Sequence, residues 1–454
     1  MNAVAPARRI ALEVLLAVRE SDAYANLLLP ARLSRAKLDP ADAALATELT
    51  YGTLRRQGYY DAVIALAARR PVTEIDPPIL DVLRLACHQL LSMRTAVHAA
   101  VDESVELAKS VGSRSATGFT NGVLRTITRT RADTWRERVL AGAGSGEERL
   151  ALEHSHPLWV VRAFRQVLTA EGREHELEAL LAADNAVPRV NLTALPGLAT
   201  VDELGSRPMS HSPVGAVLGG GDPLQVPAVR QGRARVQDEG SQLAALALSR
   251  ARPVAPGERW LDLCAGPGGK AALLAAEARA GGAELVANEL IEARAGLVAQ
   301  ALAVFEPMPE VQVGDGTELG AAHPESFDRI MLDAPCTGLG ALRRRPESRW
   351  RKQPSDVAGL GALQAKLLES AVAALKPGGL LAYVTCSPHA AETKAIVGAA
   401  VRKHETLQRV HTPAVLQSIA LEPLELPEAE HAQLWPHRHG TDAMFIQLLT
   451  KVAP

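Results

Sequence analysis

The sequence predicts an α/β protein: a Rossmann-like, mostly parallel sheet in the carboxy-terminal half, preceded by an all-helical region and a small α+β connecting subdomain. Three observations predict it. Helical periodicity without strand signals fills residues 6 to about 131. From about Gly257 onward, apolar strands alternate with helices. Between these lies a mixed stretch, and no internal repeat is evident.

The helical region opens with "PARRIALEVLLAV", where Pro sits at a helix start and Ile10, Val14 and Ala17 share a face. "VDESVELAKSVG" places Val101, Val105 and Ala108 together and closes on Gly112. "FTNGVLRTITR" repeats the pattern with Phe119, Val123 and Ile127, leaving Arg125, Arg129 and Arg131 to face elsewhere. The glycine-rich "AGAGSGEE" at 141–148 reads as a flexible linker. Two helical stretches follow, then "PRVNLTAL" as a strand, then Gly- and Pro-rich loops. The expected domains are therefore 1–140, all helical; 150–230, the α+β connection; and 231–454, the α/β domain.

Only four cysteines occur in 454 residues, at Cys87, Cys264, Cys336 and Cys386, with neither a CxxC pair nor a disulfide framework. That composition points to a reducing, cytoplasmic compartment. The amino terminus lacks a signal-peptide core, because Glu13 and Arg19 interrupt its apolar residues, and no apolar run is expected to span a bilayer. The net charge is -2, so a polyanionic partner needs locally concentrated basic residues. Aromatics at 3% argue against an extended base-stacking platform.

The first α/β unit is "GERWLDLCAGPGGKAALLAAEA", in which a strand at 260–264 runs into Gly266, Pro267, Gly268 and Gly269 before a helix. Glycines there let backbone approach a ligand closely, and amides at a helix start hold an anion or polar group. Many nucleotide folds share such a turn, so alone it identifies no cofactor. The next strand, "AELVANEL", ends with Glu289, which either accepts hydrogen bonds from both ribose hydroxyls of a nucleoside or is a solvated strand-end glutamate. A third, "EVQVGDG", brings Asp315 to the same edge, to receive an adenine amine or to cap a turn. Lys270 is followed by Ala271 rather than Ser or Thr, and the glycine spacing matches neither a triphosphate loop nor the dinucleotide fingerprint. What fits is a small nucleoside with a charged tail, S-adenosylmethionine.

The fourth and fifth strands, in "FDRIMLDAPCTGLG" and "GGLLAYVTCSPHAAE", end in Cys336 and Cys386 at the same crevice. A cysteine in an apolar strand is ordinarily a small buried hydrophobe. Both of these lie at strand ends, followed by Thr337-Gly338 and Ser387-Pro388, which points instead to chemistry. The C5 carbon of a pyrimidine is a poor nucleophile, but a thiolate adding to C6 turns the ring into an enamine able to attack a sulfonium methyl. Asp333, three residues before Cys336, is placed to assist at the base N3. A second thiol can help release the product. Enzymes that methylate an exocyclic amine usually carry Asp/Asn-Pro-Pro-aromatic here, and "DAPC" has cysteine where the aromatic would stand.

"LDLCAGPGGK", "LDAPCTGLG" and "VTCSPHAAE" resemble the motifs of the Sun-type RNA cytosine-5 methyltransferases. "ELTYGTLRR", "RLACHQL" and "FTNGVLRTITR" resemble the NusB-like domain of the bacterial 16S ribosomal RNA (cytosine-5)-methyltransferases of the RsmB type, so the resemblance covers nearly the whole chain. It implies that Cys386 is the nucleophile and Cys336 assists product release, whereas DNA cytosine-5 methyltransferases use the cysteine of the Pro-Cys motif, here Cys336. It also implies cofactor contacts from Cys264, Ala265, Gly266, Pro267, Gly268, Gly269 and Lys270, and at Glu289, Asp315 and Asp333. The chain departs from the family in having Glu289 where Asp is frequent, Glu392-Thr393 where Glu-Asn is common, and Ala443-Met444 where Gly-Phe is common.

RNA contact is suggested by "LRRRPESRWRKQ", with Arg343, Arg344, Arg345, Arg349, Trp350, Arg351 and Lys352, because arginine forks grip phosphates and stack on bases. The plainer alternative is a solvated charged loop. His389, His437 and His439 lack a four-ligand spacing, so no metal is expected. The expectation is thus a monomeric, cytoplasmic S-adenosylmethionine-dependent cytosine-5 methyltransferase acting on ribosomal RNA, of the small subunit by resemblance. The rival readings are a transfer-RNA or DNA enzyme of the same chemistry and a non-catalytic RNA-binding ribosome assembly factor.

Overall fold

Helices alone build the amino-terminal part of the chain. The computed structural model describes residues 4–21 and 23–453. Its helical unit runs through Leu168 and adds Arg173–Val187 and Leu342–Arg351. Pro6–Glu20 starts at proline as expected, and its Ile10 and Val14 are buried while Ala17 is only half-buried. Val97–Val111 is rotated from the expected face: Ala100, Ser104, Leu107 and Ala108 are buried, and Val101 and Val105 only partly. The face tolerates Ser104 because its hydroxyl donates to Ala100 O at 2.6 Å. Val123 and Ile127 of Arg114–Thr128 enter the core, which also holds Leu49, Tyr60, Leu83 and Trp135.

The expected linker at 141–148 is not one. Ala132–Ala141 ends there, and Gly146–Glu153 begins after Ser145, whose hydroxyl accepts from Glu148 N at 3.2 Å. A capping serine converts a glycine-rich string into a helix start. Leu158–Ala170 and Leu177–Ala183, expected in a connecting domain, belong largely to the helical unit.

The basic run expected to face RNA is also turned inward. Arg349 is fully buried in the helical unit; its guanidinium donates to Asn185 Oδ1 at 2.9 Å and to the carbonyls of Ser155 at 3.0 Å, Asp184 at 3.3 Å and Arg55 at 3.4 Å. Burial lowers its pKa to about 10. Arg351 donates to Val18 O at 2.7 Å and to Ala23 O, and Arg345 and Arg351 flank the Tyr24 ring at 5.2 and 5.3 Å. The Trp350 indole fills the space a Cβ on Gly58 would need, and Arg343 is buried. Arg344 is half-buried and Arg345 is the most exposed of the set. An arginine whose forks satisfy several carbonyls is a structural key, and spacing alone does not separate it from a phosphate contact.

The second unit comprises Thr169–Gly172, Pro188–Ala341 and the chain from Lys352 onward. Four short strands, β1 (Asn191–Ala194), β2 (Arg207–Pro208), β3 (Gly215–Val217) and β4 (Ala234–Val236), form an antiparallel sheet in the order β2-β3-β1-β4. Its last strand lies beyond the expected boundary at 230. The large sheet contains β5 (Arg259–Asp262), β6 (Glu284–Glu289), β7 (Glu310–Val313), β8 (Phe327–Asp333), β9 (Leu375–Thr385), β10 (Leu407–Val410), β11 (Ala432–Gln433) and β12 (Phe445–Lys451). The order is β10-β12-β9-β8-β5-β6-β7, with β11 paired to β12. Strands β9, β8, β5, β6 and β7 are parallel and β12 is antiparallel to β9, so five carboxyl ends open on one edge.

Apolar clusters cover both sheet faces. One includes Leu243, Leu246 and Leu274; the other includes Ile330, Leu332, Leu367 and Leu381. The latter is covered by Pro354–Ala374, the one helix among the described residues long and apolar enough to cross a bilayer by length and composition. Lys366 and Glu369 interrupt its apolar residues, and in the fold its Leu367, Leu368, Ala371 and Val372 are core residues.

Candidate active site

The site is built where strands stop. After β5 the chain turns through Cys264 to Gly268 into the helix Gly269–Ala280. Gly268 has φ of 103°, and a Cβ there would lie 2.6 Å from Ala301 Cβ, so only glycine lets this turn pack. A Cβ on Gly266 would lie 2.2 Å from Glu289 Oε2. That carboxylate, at the end of β6, accepts from Gly266 N at 3.0 Å and from Ile291 N at 3.1 Å, and Arg294 stands 3.4 Å away. Asn288 points elsewhere, donating to the carbonyls of Leu263 and Gly314 at 3.1 Å each. The acid facing the glycine turn is therefore Glu289.

Asp315 is exposed at the end of β7 and caps the helix Gly316–Ala322, accepting from Thr317 N at 2.9 Å and Thr317 Oγ1 at 2.8 Å. Hydrogen bonding to Thr317 lowers its pKa. Cys264 is held protonated by burial, which pushes its pKa far up.

Lys270 Nζ lies 2.8 Å from Asp333 Oδ2 at the end of β8. Burial alone would lower the Lys270 pKa, but Asp333, then Cys386 and Asp262, raise it overall. Asp262 went unnoticed in the sequence reading, although it sits inside "LDLCAGPGGK". It is 1% exposed, and neither carboxylate oxygen has a hydrogen-bond partner meeting normal geometry. Burial, followed by the Asp333 charge, pushes its pKa up from 3.8 to about 7 against the pull of Lys270.

The Asp262 shift makes a stability statement. Between about pH 4 and 7 the folded chain keeps a proton that the unfolded chain has lost, so stability falls as pH rises through that window. The full cost above it is on the order of 4 kcal/mol. Asp262→Asn is expected to be more stable than wild type at pH 8 and to lose that advantage near pH 4. Denaturant titrations of cofactor-free protein at the two pH values check it, and an equal offset at both would refute it.

Cys336 and Cys386 follow the adjacent parallel strands β8 and β9, and their sulfurs stand 3.5 Å apart. Hydrogen bonding to Cys386 comes first among the causes that raise the Cys336 pKa, followed by burial and the charges of Cys386 and Glu392. Lys270 interacts electrostatically with Cys386. The pair is thus unequal: Cys336 is held as the thiol, and Cys386 has the Lys270 cation within electrostatic reach.

A Rossmann-like sheet with a glycine cradle after its first strand, an acid facing that cradle from the second and an orphaned buried carboxylate beneath it suits a sulfonium-bearing nucleoside. The fold and the site define a class, the S-adenosylmethionine-dependent methyltransferases. The family described as "16S rRNA methyltransferase RsmB/F" matches residues 252–450, and the NusB family matches residues 5–129. The chain is 48% identical to Rv1407 of Mycobacterium tuberculosis over 98% of its own length and 97% of that protein, whose name assigns it an unproven methyltransferase activity and no substrate. It is 31% identical to the ribosomal RNA small subunit methyltransferase B of Pseudomonas putida, covering 98% of each chain. The crystal structure of PH0851 shares the fold, with a TM-score of 0.80 at 21% identity, covering 99% of this chain and 100% of that one. The chain belongs to the RsmB/F methyltransferase family and carries a NusB-family region ahead of its catalytic fold.

Proposed function

We propose that the protein methylates C5 of a cytosine in ribosomal RNA, that of the small subunit, through a covalent adduct between Cys386 and the base. The observation that carries this reading is the pair of unequal thiols 3.5 Å apart at the ends of β8 and β9. S-adenosylmethionine supplies an electrophilic methyl group. The chain supplies the nucleophile: Cys386 Sγ bonds to C6, the C5–C6 electrons move to C5, and Asp333 with its Lys270 partner faces N3 to support that shift. After methylation the C5 proton leaves, the C5–C6 double bond reforms and the C6–sulfur bond breaks.

The thiol electrostatics fit this order. Once Cys386 is bonded to carbon it carries no thiolate charge, which removes one of the causes that keep Cys336 protonated. Cys336 can then act in release. On this reading Glu289 takes the ribose hydroxyls, the turn from Cys264 to Lys270 takes the methionine portion, and Asp315 sits at the adenine end. The small-subunit RNA target is supported by the names of the family and of the P. putida relative. With Arg349 and its neighbours occupied inside the helical unit, Arg345 is the exposed arginine of that run and the one proposed for phosphate contact.

The test incubates Cys336→Ala with small-subunit ribosomal RNA and S-adenosylmethionine. A denaturation-resistant protein–RNA adduct is expected, absent from the Cys336→Ala/Cys386→Ala double variant. An adduct formed by the Cys386→Ala single variant would reverse the two thiols. Methylation of transfer RNA alone, or of no RNA by wild type, would sink the assigned substrate.

A further inference from the structure

The strand ladder does not itself hold the two thiols. Its last register pair is Asp333 with Val384, after which Ala334 N donates to Val384 O at 2.9 Å and both chains leave the sheet. Two independent loops then carry sulfurs that must keep a defined separation. One link between them is backbone, Gly340 N to Cys386 O at 2.8 Å, and another joins the Thr337 and Ser387 hydroxyls at 3.1 Å. A further link is a side chain outside the reacting set.

Glu392, in the short turn Ala390–Glu392, is fully buried. Its Oε1 accepts from Thr337 N at 2.8 Å and from Gln364 Nε2 at 3.2 Å. Its Oε2 accepts from Thr337 Oγ1 at 2.5 Å and Ser387 Oγ at 2.6 Å. Thr337 directly follows Cys336, and Ser387 directly follows Cys386. The turn is itself pinned, since Tyr383 OH donates to Glu392 O at 2.7 Å, and Gln364 Nε2 also reaches Pro335 O at 2.8 Å. The four donors to the carboxylate among the described residues are neutral, so the group is held by geometry. A buried charge without a cation is costly unless every lone pair is used.

We propose that Glu392 is a positioning residue for both thiols: one buried carboxylate ties the residue after Cys336 to the residue after Cys386 and so fixes the separation of the two sulfurs. This deepens the reading of Cys386 and Cys336 as the reacting groups and rests on it. A neutral hydrogen-bonding residue could brace two loops at lower cost. The carboxylate also adds a negative charge that raises the Cys336 pKa, while Lys270 interacts electrostatically with Cys386. The other titratable groups facing the pair are Tyr383 and His389 beside Glu392, and Asp333 and Asp262 beside Lys270.

Glu392→Gln keeps the shape and removes the charge. In full-length protein without RNA, iodoacetamide labelling of each cysteine is followed against pH by peptide mass spectrometry. Wild type is expected to label Cys386 at lower pH than Cys336. In Glu392→Gln the Cys336 midpoint is expected to fall by about one pH unit, narrowing the gap. Methyl transfer should lose about tenfold or more in kcat, with KM for RNA nearly unchanged. Thr337→Val, which removes one donor and leaves the carboxylate, keeps the test open if the first variant folds poorly; it is expected to disturb kcat in the same direction. Labelling profiles and kcat unchanged in both variants would overturn the proposal, as would a loss of thermal stability with the two profiles still as far apart as in wild type. Because labelling needs no RNA, failure of wild type to methylate any RNA would overturn the functional reading while the labelling profiles still decide Glu392.

Discussion

Cys386→Ala is expected to abolish methyl transfer, lowering kcat/KM by at least about 10³-fold, while S-adenosylmethionine binds as it does to wild type. The two effects separate because they reside on different strands. Most of the groups proposed to hold the cofactor, the turn from Cys264 to Lys270, Glu289 and Asp315, stand at the ends of β5, β6 and β7, whereas Cys386 follows β9, across β8 from them. Truncating a half-buried thiol removes a single sulfur from a loop that keeps its Ser387 hydroxyl bond to Glu392 and its backbone bond to Gly340. Filter-bound tritium from labelled cofactor measures transfer, and equilibrium dialysis measures binding. Transfer within tenfold of wild type would show that Cys386 does not form the adduct.

Lys270→Met should be nearly as damaging for a different reason. The ammonium is the positive group among Asp333, Asp262 and the Cys386 sulfur. Without it, Asp333 loses its 2.8 Å partner and the Cys386 thiolate loses its cation. A cation favours the charged form of a neighbouring thiol, so its removal raises the Cys386 pKa. The expected result is a loss of about 10²-fold at pH 7.5. The rising limb of the pH–rate profile should also move upward by about one unit or more, so that alkaline pH recovers part of the activity. Rates from pH 6 to 9.5 decide this, and a uniform loss across that range would assign Lys270 to binding alone.

The parts of this architecture that follow a period or a chain terminus of a strand were legible in the sequence. Apolar runs stopping at Glu289, Asp333 and the two cysteines mark carboxyl ends, and parallel strands must put those ends on one edge. What escaped was set by burial in three dimensions. Arg349 has the same composition around it as a phosphate-binding arginine, and only the carbonyls of Ser155 and Asp184 reveal its use. Asp262 lies within the expected strand at 260–264 with nothing local to single it out, and its missing partners appear only when the site is assembled. Glu392 was noticed as a departure beside Thr393, yet its tie to Thr337 crosses fifty-five positions, beyond any local pattern. The glycines at 141–148 misled because composition reports flexibility, while Ser145 decides where a helix begins.

The ten residues Leu342–Arg351 carry a consequence for how this protein can be taken apart or inherited. The chain leaves the catalytic unit after Ala341, contributes Arg349 to the helical unit and returns at Lys352. A gene fragment stopping at Val187 would encode the helices of the first unit up to that point yet omit the short helix Ser348–Arg351 and the Arg349 guanidinium it carries. The carbonyls of Ser155 and Asp184 would then lose the donor that Arg349 supplies. The two halves are therefore interleaved rather than concatenated. Neither can be swapped between paralogues as a cassette with a single crossover, and any recombination that succeeds must carry the segment just after the Cys336 loop along with the amino-terminal helices.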